Sequence, residues 1–130
     1  IIDKIIHGKK VPVIAPLGLD SENKTYNINA DTAAGAIAAA LNVKRMLMLT
    51  DVTGVQDKDG NLIPSLTISQ AEALIHDGTV LGGMIPKVET CIEAVQGGAE
   101  GAVIMDGRIP HALLVELFTE HGMGTIITAG

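Results

Sequence analysis

The sequence has few of the residues that mark several common protein classes. Its 130 residues include one cysteine, Cys91, which excludes an intramolecular disulfide framework and a multi-cysteine zinc site. Tryptophan is absent and aromatic residues make up only 2% of the chain, which disfavours an aromatic-rich β-sandwich. The hydrophobic fraction of 47% consists mostly of small and aliphatic side chains. Such a composition suits the closely packed helices and strands of a layered α/β domain.

Basic patches and long apolar runs are also missing. The net charge is −6, and the acidic residues are scattered rather than clustered, so nucleic acid is not an expected partner. No apolar run reaches the roughly 18 residues that a membrane-spanning helix requires. No signal-peptide pattern is visible, which favours a cytoplasmic protein. The chain opens on "IIDKIIHGKK" without an initiating Met, as expected for a segment cut from a longer protein.

The first half of the chain alternates helix and strand patterns. Residues 1–7 are typical of a helix end that closes at Gly8, and "VPVIAPL" over 11–17 predicts a buried strand. Asp31 and Thr32 are expected to begin an Ala-rich helix that ends near Asn42. The apolar run over 45–52 predicts a strand buried on both faces of a parallel sheet.

The second half continues the alternation. Asp59-Gly60 predicts the turn of a small hairpin, and Ser69 with Glu72 has the spacing of a capping box at a helix start. Further predicted elements are a helix from Pro86, a strand over 101–107, a helix from Pro110 and a last strand over 124–129. The whole chain, residues 1–130, is therefore predicted to be one α/β domain, a three-layer sandwich with a mostly parallel open sheet.

Ligands of open α/β sheets bind beyond the carboxyl ends of the strands. In the segment "NINAD", Asn27, Asn29 and Asp31 can point the same way if the backbone is extended, because residues two apart share a face. Two carboxamides there can donate to a substrate carboxylate, and Asp31 can orient a lysine. Taken alone, however, clustered Asn and Asp residues more often serve as turn and helix-cap residues.

The segment "LTDVTGV" places Thr50, Asp51 and Gly54 at the end of a predicted strand. Backbone N–H groups and hydroxyls in such a loop can meet phosphate oxygens or a ribose. A tight turn that needs a positive φ at Gly54 explains the segment equally well. Near the chain's end, Asp106, Arg108 and His111 fit a polar network at a helix start better than a separate site.

The segment "DGTVLGGMIPKVET" carries the most specific chemistry. Gly82 and Gly83 allow close approach to the backbone, and a helix that begins near Pro86 adds its positive pole to the charge of Lys87. The spacing is not that of a P-loop. A solvated lysine in a helix–helix connection is the simpler alternative. The combination nevertheless favours a site that stabilises a transferring phosphoryl group.

Four segments in order resemble the carboxy-terminal half of the N-acetylglutamate kinases, in the amino acid kinase superfamily. They are "YNINADTAAGAIA", "LTDVTGV", "DGTVLGGMIPKVETC" and "DGRIPHALLVELFT" with the later "GMGT". The resemblance covers the chain from about Val11 to its end. It implies an amino acid kinase (carbamate kinase-like) fold, present here as its C-terminal lobe only. It also implies an enzyme of arginine biosynthesis that transfers the γ-phosphoryl group of ATP to the side-chain carboxylate of N-acetyl-L-glutamate.

The resemblance also assigns roles to residues. Lys87 would neutralise charge on the transferred phosphoryl group, Asp31 would hold the catalytic lysines in register, and Asn27 with Asn29 would bind acetylglutamate. Mg²⁺ would bridge the ATP phosphates, with no metal ligand assigned to this chain. The nucleotide-binding residues implied are Thr50, Asp51, Val52, Thr53, Gly54, Val55, Gln56, Thr79, Val80, Leu81, Gly82, Gly83 and Met84.

One part of the family pattern is missing. The resemblance places a second glycine-rich loop, a second catalytic lysine and much of the acetylglutamate pocket in an amino-terminal domain that this chain does not contain. We therefore expect the chain alone to be inactive and the full-length enzyme to be a homo-oligomer. The tail resembles that of arginine-inhibited members, which makes Glu116 and Gly124 candidate effector residues.

Two alternative functions remain open from the sequence. The chain could belong to another amino acid kinase, acting on glutamate or carbamate, because the "GGM-x-x-K" pattern is shared among them. It could also be a non-catalytic nucleotide-binding module that regulates a partner.

Overall fold

The computed structural model describes residues 1–119 and 122–130. One short helix and two short strands come first in the chain, and the other helices and the four strands of the main sheet follow. The elements in chain order are α1 (Ile2–His7), β1 (Leu17–Leu19), β2 (Thr25–Asn27), α2 (Ala30–Ala40), β3 (Met46–Thr50), β4 (Ser65–Thr67), α3 (Ile68–His76), α4 (Met84–Gln96), β5 (Ala102–Asp106), α5 (Ala112–Phe118) and β6 (Thr125–Thr128).

The main sheet has four strands in the order β3-β5-β6-β4. β3 is parallel to β5 and β4 is parallel to β6, while β5 and β6 are antiparallel. The mostly parallel sheet predicted from the sequence is thus confirmed, with one antiparallel pair at its centre. Thr50 is in register with Asp106, so the carboxyl ends of β3 and β5 lie side by side.

Helices cover both faces of this sheet. The alternating side chains of β5 consequently enter two different cores. Ile104 belongs to a large core shared with α2, α3 and α4, whereas Val103 and Met105 pack with Ala112 of α5. Every residue of β5 is buried. The three-layer sandwich is therefore present, and the buried two-faced strand explains the continuous apolar run over this part of the sequence.

Small residues let α2 and α4 pack closely. A methyl group added at Gly35 of α2 would lie 2.8 Å from the Thr90 methyl carbon, and one at Gly97 would lie 2.6 Å from the side chain of Ala39. Each helix leads into a parallel strand, α2 into β3 and α4 into β5. Both helices consequently begin at the carboxyl edge of the sheet, where the sequence predicts the ligand.

The prediction of a buried strand over 11–17 is wrong for most of that segment. Only Leu17 belongs to a strand, β1, whose partner β2 forms a separate two-stranded sheet. Val11 and Val13 are 88% and 95% exposed. Pro12 and Pro16 remove backbone donors, and no strand in the described part of the chain pairs with residues 11–16.

Two predicted helix caps shift by a few residues. The capping box of α3 is formed by Thr67 and Gln70 rather than by Ser69 and Glu72. Likewise Asn29, not Asp31, caps α2, because its side-chain oxygen accepts from the backbone N–H of Thr32 at 3.1 Å. In both cases the residue whose side chain caps the helix lies two residues upstream of the predicted one.

Other predicted elements agree with the structure. Gln56 and Leu62 form an antiparallel bridge, as expected for a small hairpin around Asp59-Gly60. The predicted helix after Pro110 is α5, although residues 120 and 121 of that segment lie outside the described residues. None of the helices in residues 1–119 and 122–130 combines the length and apolar character that crossing a bilayer would need.

Candidate functional site

The packing of α2 against α4 brings together two side chains that are 56 residues apart in sequence. Lys87 Nζ donates to Asp31 Oδ2 at 2.8 Å, and the two side chains are 26% and 33% exposed. The ion pair therefore lies at the surface end of the helix pair, where solvent or a ligand reaches both groups. The lysine–aspartate contact expected from the sequence is present.

The position of Lys87 in its helix is electrostatically unusual. It is the fourth residue of α4, in the first turn, where the partial positive charge of a helix disfavours a cation. Asp31 lies in the first turn of α2, where a carboxylate is favoured, and its charge offsets that of Lys87. Two helix starts and one ammonium group thus give this corner a positive character that one carboxylate only partly cancels. An anionic ligand would complete the balance.

Gly82 and Gly83 lie directly before α4. Gly82 has a φ of +55°, which glycine adopts without strain, and Gly83 is the N-cap of the helix without a side-chain cap. A methyl group added at either glycine would meet no atom within 4 Å. Packing in this chain therefore does not demand glycine at these positions, apart from the φ of Gly82. The open space in front of the helix start is what a closely approaching phosphate group requires.

Asn27 and Asn29 lie close to this corner but do not form the extended face that the sequence suggests. Asn27 ends β2 with an exposed side chain, and Asn29 is engaged in capping α2. Asp31 lies within the helix, so alternation along a strand does not place these three side chains together. Asn27 remains a candidate substrate contact, whereas Asn29 has a structural task of its own.

The loop after β3 contains the first group of predicted nucleotide-binding residues. Asp51 accepts from the hydroxyl of Thr50 at 3.2 Å, and both lie at the carboxyl edge of the sheet. Val55 differs, because its side chain is 1% exposed, its N–H binds Thr125 and its carbonyl accepts from Ile63. Val55 thus anchors the loop and has no group left for a nucleotide. The residues exposed to a ligand here are Asp51, Val52 and Thr53, with Gln56 beginning the hairpin, whereas Gly54 is buried.

The loop between α3 and α4 contains the second group. Asp77 accepts from both the backbone N–H and the hydroxyl of Thr79, at 2.9 and 2.5 Å, and these bonds lower the pKa of its carboxyl. Val80 is buried in the core and only 3% exposed, so its side chain cannot line a nucleotide pocket. Leu81 is 68% exposed and precedes Gly82. An exposed leucine beside an open glycine turn can pack on a flat aromatic base.

A salt bridge connects these two loops. Lys58 Nζ, at the tip of the hairpin, lies 3.2 Å from Asp77 Oδ2. The two side chains are 67% and 49% exposed, so the bridge contributes little stability.

Cys91 lies one helical turn beyond Lys87 and is completely buried. Burial raises the pKa of its thiol to about 12, and the nearby negative charge of Asp31 adds to this while Lys87 opposes it. The thiol is therefore protonated and unreactive, as expected for a structural cysteine. Its position also shows that the Lys87–Asp31 pair rests directly on the core.

The polar network that the sequence predicts around Asp106 and Arg108 lies at the same edge of the sheet. The carboxylate of Asp106, 6% exposed, accepts from the Arg108 backbone N–H, Nε and Nη2 at 2.9, 3.0 and 2.8 Å. These bonds lower the pKa of Asp106 from 3.8 to about 2. The network precedes α5, as predicted, and it fixes the end of β5 beside Thr50.

A fourth ion pair, Arg45–Glu116, lies away from this edge. Arg45 Nη1 is 3.1 Å from Glu116 Oε1, and the Met123 N–H donates to Glu116 Oε2 at 2.9 Å. Glu116 is 5% exposed. The pair borders a groove of about 310 Å³ that Gly122, Gly124 and Ile126 also line. No local pattern in the sequence points to Arg45, because its partner is 71 residues away.

Comparison with known proteins adds to this geometry. Residues 1–106 match the amino acid kinase family. The chain is 61% identical over 127 residues to the acetylglutamate kinase of Parvibaculum lavamentivorans, covering 98% of this chain and 42% of that protein. It is 65% identical over 119 residues to the acetylglutamate kinase of Acidiphilium cryptum, covering 92% of this chain and 40% of the relative. The chain thus spans about two fifths of the length of these curated relatives.

Solved structures share the fold. N-acetylglutamate synthase from Neisseria gonorrhoeae, solved with coenzyme A and L-arginine, superposes with a TM-score of 0.93 at 26% identity, covering 99% of this chain and 30% of that one. Giardia carbamate kinase superposes with a TM-score of 0.74 at 23% identity, covering 99% of this chain and 46% of that one, which shows a common fold alone. From its sequence match and its sheet, this chain belongs to the amino acid kinase family.

Proposed function

We propose that this chain supplies the nucleotide-binding part of an acetylglutamate kinase. That enzyme transfers the γ-phosphoryl group of ATP to the side-chain carboxylate of N-acetyl-L-glutamate and yields an acyl phosphate, in arginine biosynthesis. The observation that carries the proposal is the Lys87–Asp31 pair, a 2.8 Å contact at the start of two helices and beside an open glycine turn. The high identity to acetylglutamate kinases supports the choice of acceptor.

The proposed chemistry requires positioning and charge neutralisation. An acceptor carboxylate is already ionised at neutral pH, so the reaction needs no general base to create the nucleophile. The ammonium group of Lys87 would contact oxygens of the γ-phosphoryl group as it leaves ADP, and the N-terminus of α4 would add its dipole. Asp31 would hold the ammonium group of Lys87 at one place through their hydrogen bond. The positive charge is then preorganised before the transition state forms.

The nucleotide would lie along the carboxyl edge of the sheet. Thr50, Asp51 and Thr53 offer polar groups for a ribose or phosphate, while Leu81 offers an apolar surface for the base. Gly82, Gly83 and Met84 would border the phosphates. Val55 and Val80 support these loops from the core, so we assign them no side-chain contact with the nucleotide. Asn27 would contact the acetylglutamate.

Kinases of this kind use ATP with Mg²⁺. The described residues contain no group of three or more His, Cys, Asp or Glu side chains that could cage a metal ion. Mg²⁺ commonly binds through one or two carboxylates together with substrate phosphates. Asp51, beside the expected phosphate position, is the carboxylate of this chain that best suits such a role. When bound, the ion would neutralise phosphate charge.

Because the chain spans about two fifths of the length of its relatives, we expect it to bind nucleotide weakly and not to catalyse alone. The test is ADP production by the purified 130-residue chain in the presence of ATP and N-acetyl-L-glutamate. Turnover at the rate of the full-length enzyme would falsify this division of the active site. A cytoplasmic location and assembly into a homo-oligomer remain predictions for the full-length protein.

A panel of acceptors tests the function itself. A full-length enzyme that contains these 130 residues should phosphorylate N-acetyl-L-glutamate in preference to glutamate or carbamate. Preference for free glutamate or carbamate would identify another kinase of the family. ATP binding without phosphorylation of any acceptor would indicate a regulatory nucleotide-binding module instead.

Arginine is a proposed inhibitor of the full-length enzyme. The support is the Arg45–Glu116 groove, together with the presence of L-arginine in the complex of the structurally similar synthase. Each carboxylate oxygen of Glu116 has a second lone pair, so Glu116 can accept from a ligand guanidinium while it retains Arg45 and Met123. Arg45 could in turn attract the ligand's α-carboxylate.

Arginine inhibition curves of full-length variants test this site. Glu116→Gln should weaken inhibition by tenfold or more. Lys58→Ala, which removes an exposed side chain that does not line this groove, should leave inhibition unchanged. Gly124 is unsuitable for this test, since a methyl group there would collide with the Ile104 carbonyl oxygen and disturb the sheet. Unchanged inhibition in Glu116→Gln would sink the assignment.

A further inference from the structure

The hairpin over residues 55–63 follows the proposed nucleotide loop, and in the described part of the chain one side chain fastens it to the sheet. Thr125, the first residue of β6, is completely buried. Its Oγ1 accepts from the backbone N–H of Val55 at 2.8 Å and donates to the carbonyl oxygen of Ile63 at 2.7 Å. One hydroxyl thus holds both arms of the hairpin at its base. A second link is the bond from the Ile126 N–H to the Pro64 carbonyl oxygen, at 3.0 Å.

The loop is packed against the same hydroxyl. A methyl group added at Gly54 would lie 2.6 Å from Thr125 Oγ1 and 2.7 Å from Leu62 Cδ1. The φ of Gly54 is +148°, a value that side-chain-bearing residues rarely adopt. Gly54 is therefore required both by its backbone conformation and by its contact with Thr125. The position of residues 51–54 relative to the sheet depends on this contact.

We propose that Thr125 is a positioning residue for ATP. Through Val55 and Gly54 it sets the place of the loop over residues 51–54, without touching the nucleotide itself. This inference rests on the proposed nucleotide site, because the loop is assigned to ATP there. The sequence gives no indication of this role, since Thr125 lies 70 residues from Val55 and within an apolar strand.

Three variants separate the hydroxyl from the shape of the side chain. Thr125→Val keeps the volume but removes the hydroxyl that pairs with the buried Val55 N–H and the part-buried Ile63 carbonyl group. Thr125→Ser keeps the hydroxyl. Thr128→Val makes the same chemical change at the other end of β6, where the described contacts do not reach the loop. All three are made in a full-length enzyme that contains this chain.

Calorimetric titration with ATP in the absence of acceptor is the first measurement. Thr125→Val should raise the Kd for ATP about tenfold. The free energy lost when a buried polar group loses its hydrogen bond is similar to the free energy that separates two Kd values that differ tenfold. Thr125→Ser and Thr128→Val should stay within about twofold of the native value. The native Kd does not depend on which acceptor is phosphorylated. Failure of the proposed acceptor therefore cannot be mistaken for failure of this inference.

Steady-state kinetics provide the second measurement. Thr125→Val should raise the KM for ATP while the KM for N-acetyl-L-glutamate changes less than twofold. A general loss of structure would instead change both KM values, or would lower the melting temperature without changing either KM. Either result would contradict the proposal. If Thr125→Val does not fold, Gly54→Ala, which pushes the loop away from the same hydroxyl, should produce the same selective change. An unchanged ATP affinity in the folded Thr125→Val enzyme, or in Gly54→Ala, would overturn the proposal.

Discussion

Two ion pairs within residues 1–119 and 122–130 join distant parts of the chain, and they differ in how many of their hydrogen-bonding groups are already engaged. Glu116 is 5% exposed and has a partner on each carboxylate oxygen, Arg45 on one and the Met123 N–H on the other. Asp31 and Lys87 are a third and a quarter exposed, and within the described residues each has only the other as a hydrogen-bonding partner. The first pair is built into the structure, whereas the second keeps donors available for a ligand.

This difference separates stability from function. Breaking a buried pair leaves groups without partners and lowers stability, while an exposed pair contributes about 1 kcal/mol or less. The Lys87–Asp31 pair therefore explains little of the stability of the fold. Its position at two helix starts is better explained by the charge that it presents. Variants of the four ion pairs described above test this distinction.

The largest effect is expected for Lys87→Met in the full-length enzyme. Removing the ammonium group should lower kcat by about 100- to 1,000-fold, as for the loss of other preorganised groups that stabilise transition-state charge. The KM for ATP should change only a few-fold. Steady-state kinetics with ATP and N-acetyl-L-glutamate measure both constants, and urea unfolding should show a change in stability below about 1 kcal/mol. A native kcat in this variant would show that Lys87 does not stabilise the transition state.

The next largest effect is expected for Glu116→Ala, and it concerns stability. The variant leaves the Met123 N–H unpaired, while Arg45, 40% exposed, can be solvated, so the free energy of unfolding should fall by about 2 kcal/mol. Urea unfolding of this chain measures the change. A loss below about 1 kcal/mol would mean that the two ion pairs do not differ as their burial suggests.

A smaller, pH-dependent effect is expected at the Asp106–Arg108 pair. The pKa of Asp106 in the folded protein is lowered to about 2, so the ionised carboxylate stabilises the fold above its ordinary pKa of 3.8. That contribution should disappear as the pH falls from about 4 to about 2. In Arg108→Ala the urea midpoint should decline less across this range than in the native protein. Equal declines would show that the pair does not shift the carboxyl pKa.

The smallest effect is expected for Lys58→Ala. Lys58 and Asp77 are 67% and 49% exposed, so their bridge should contribute less than about 0.5 kcal/mol. The urea midpoint should not move within error at physiological ionic strength. A loss comparable to that of Glu116→Ala would contradict the ranking of the pairs by burial.

Much of the site could be predicted because the motifs mark chain positions where strands end and helices begin. The three glycines and Lys87 lie where "DGTVLGGMIPK" suggested, and Asp31 does contact Lys87. The fold class followed from the alternation of elements. These features depend on local pattern, which the sequence displays directly.

Features that depend on distant partners could not be predicted. The stretch over 11–17 is predominantly apolar, like β5, yet Val13 is exposed while Val103 is buried between neighbouring strands. Burial is decided by what packs against a segment, not by its own hydropathy. For the same reason the sequence could not reveal that Val55 is an anchor, or that Thr125 holds it.

The Asp31–Lys87 contact is tested most directly by a double-mutant cycle on kcat in the full-length enzyme. The variants are Asp31→Asn, Lys87→Met and the two combined, each assayed with ATP and N-acetyl-L-glutamate. If Asp31 acts by holding Lys87, Asp31→Asn should lower kcat in the native background and have little further effect once Lys87 is gone. Two independent losses, whose effects multiply in the combined variant, would contradict the account.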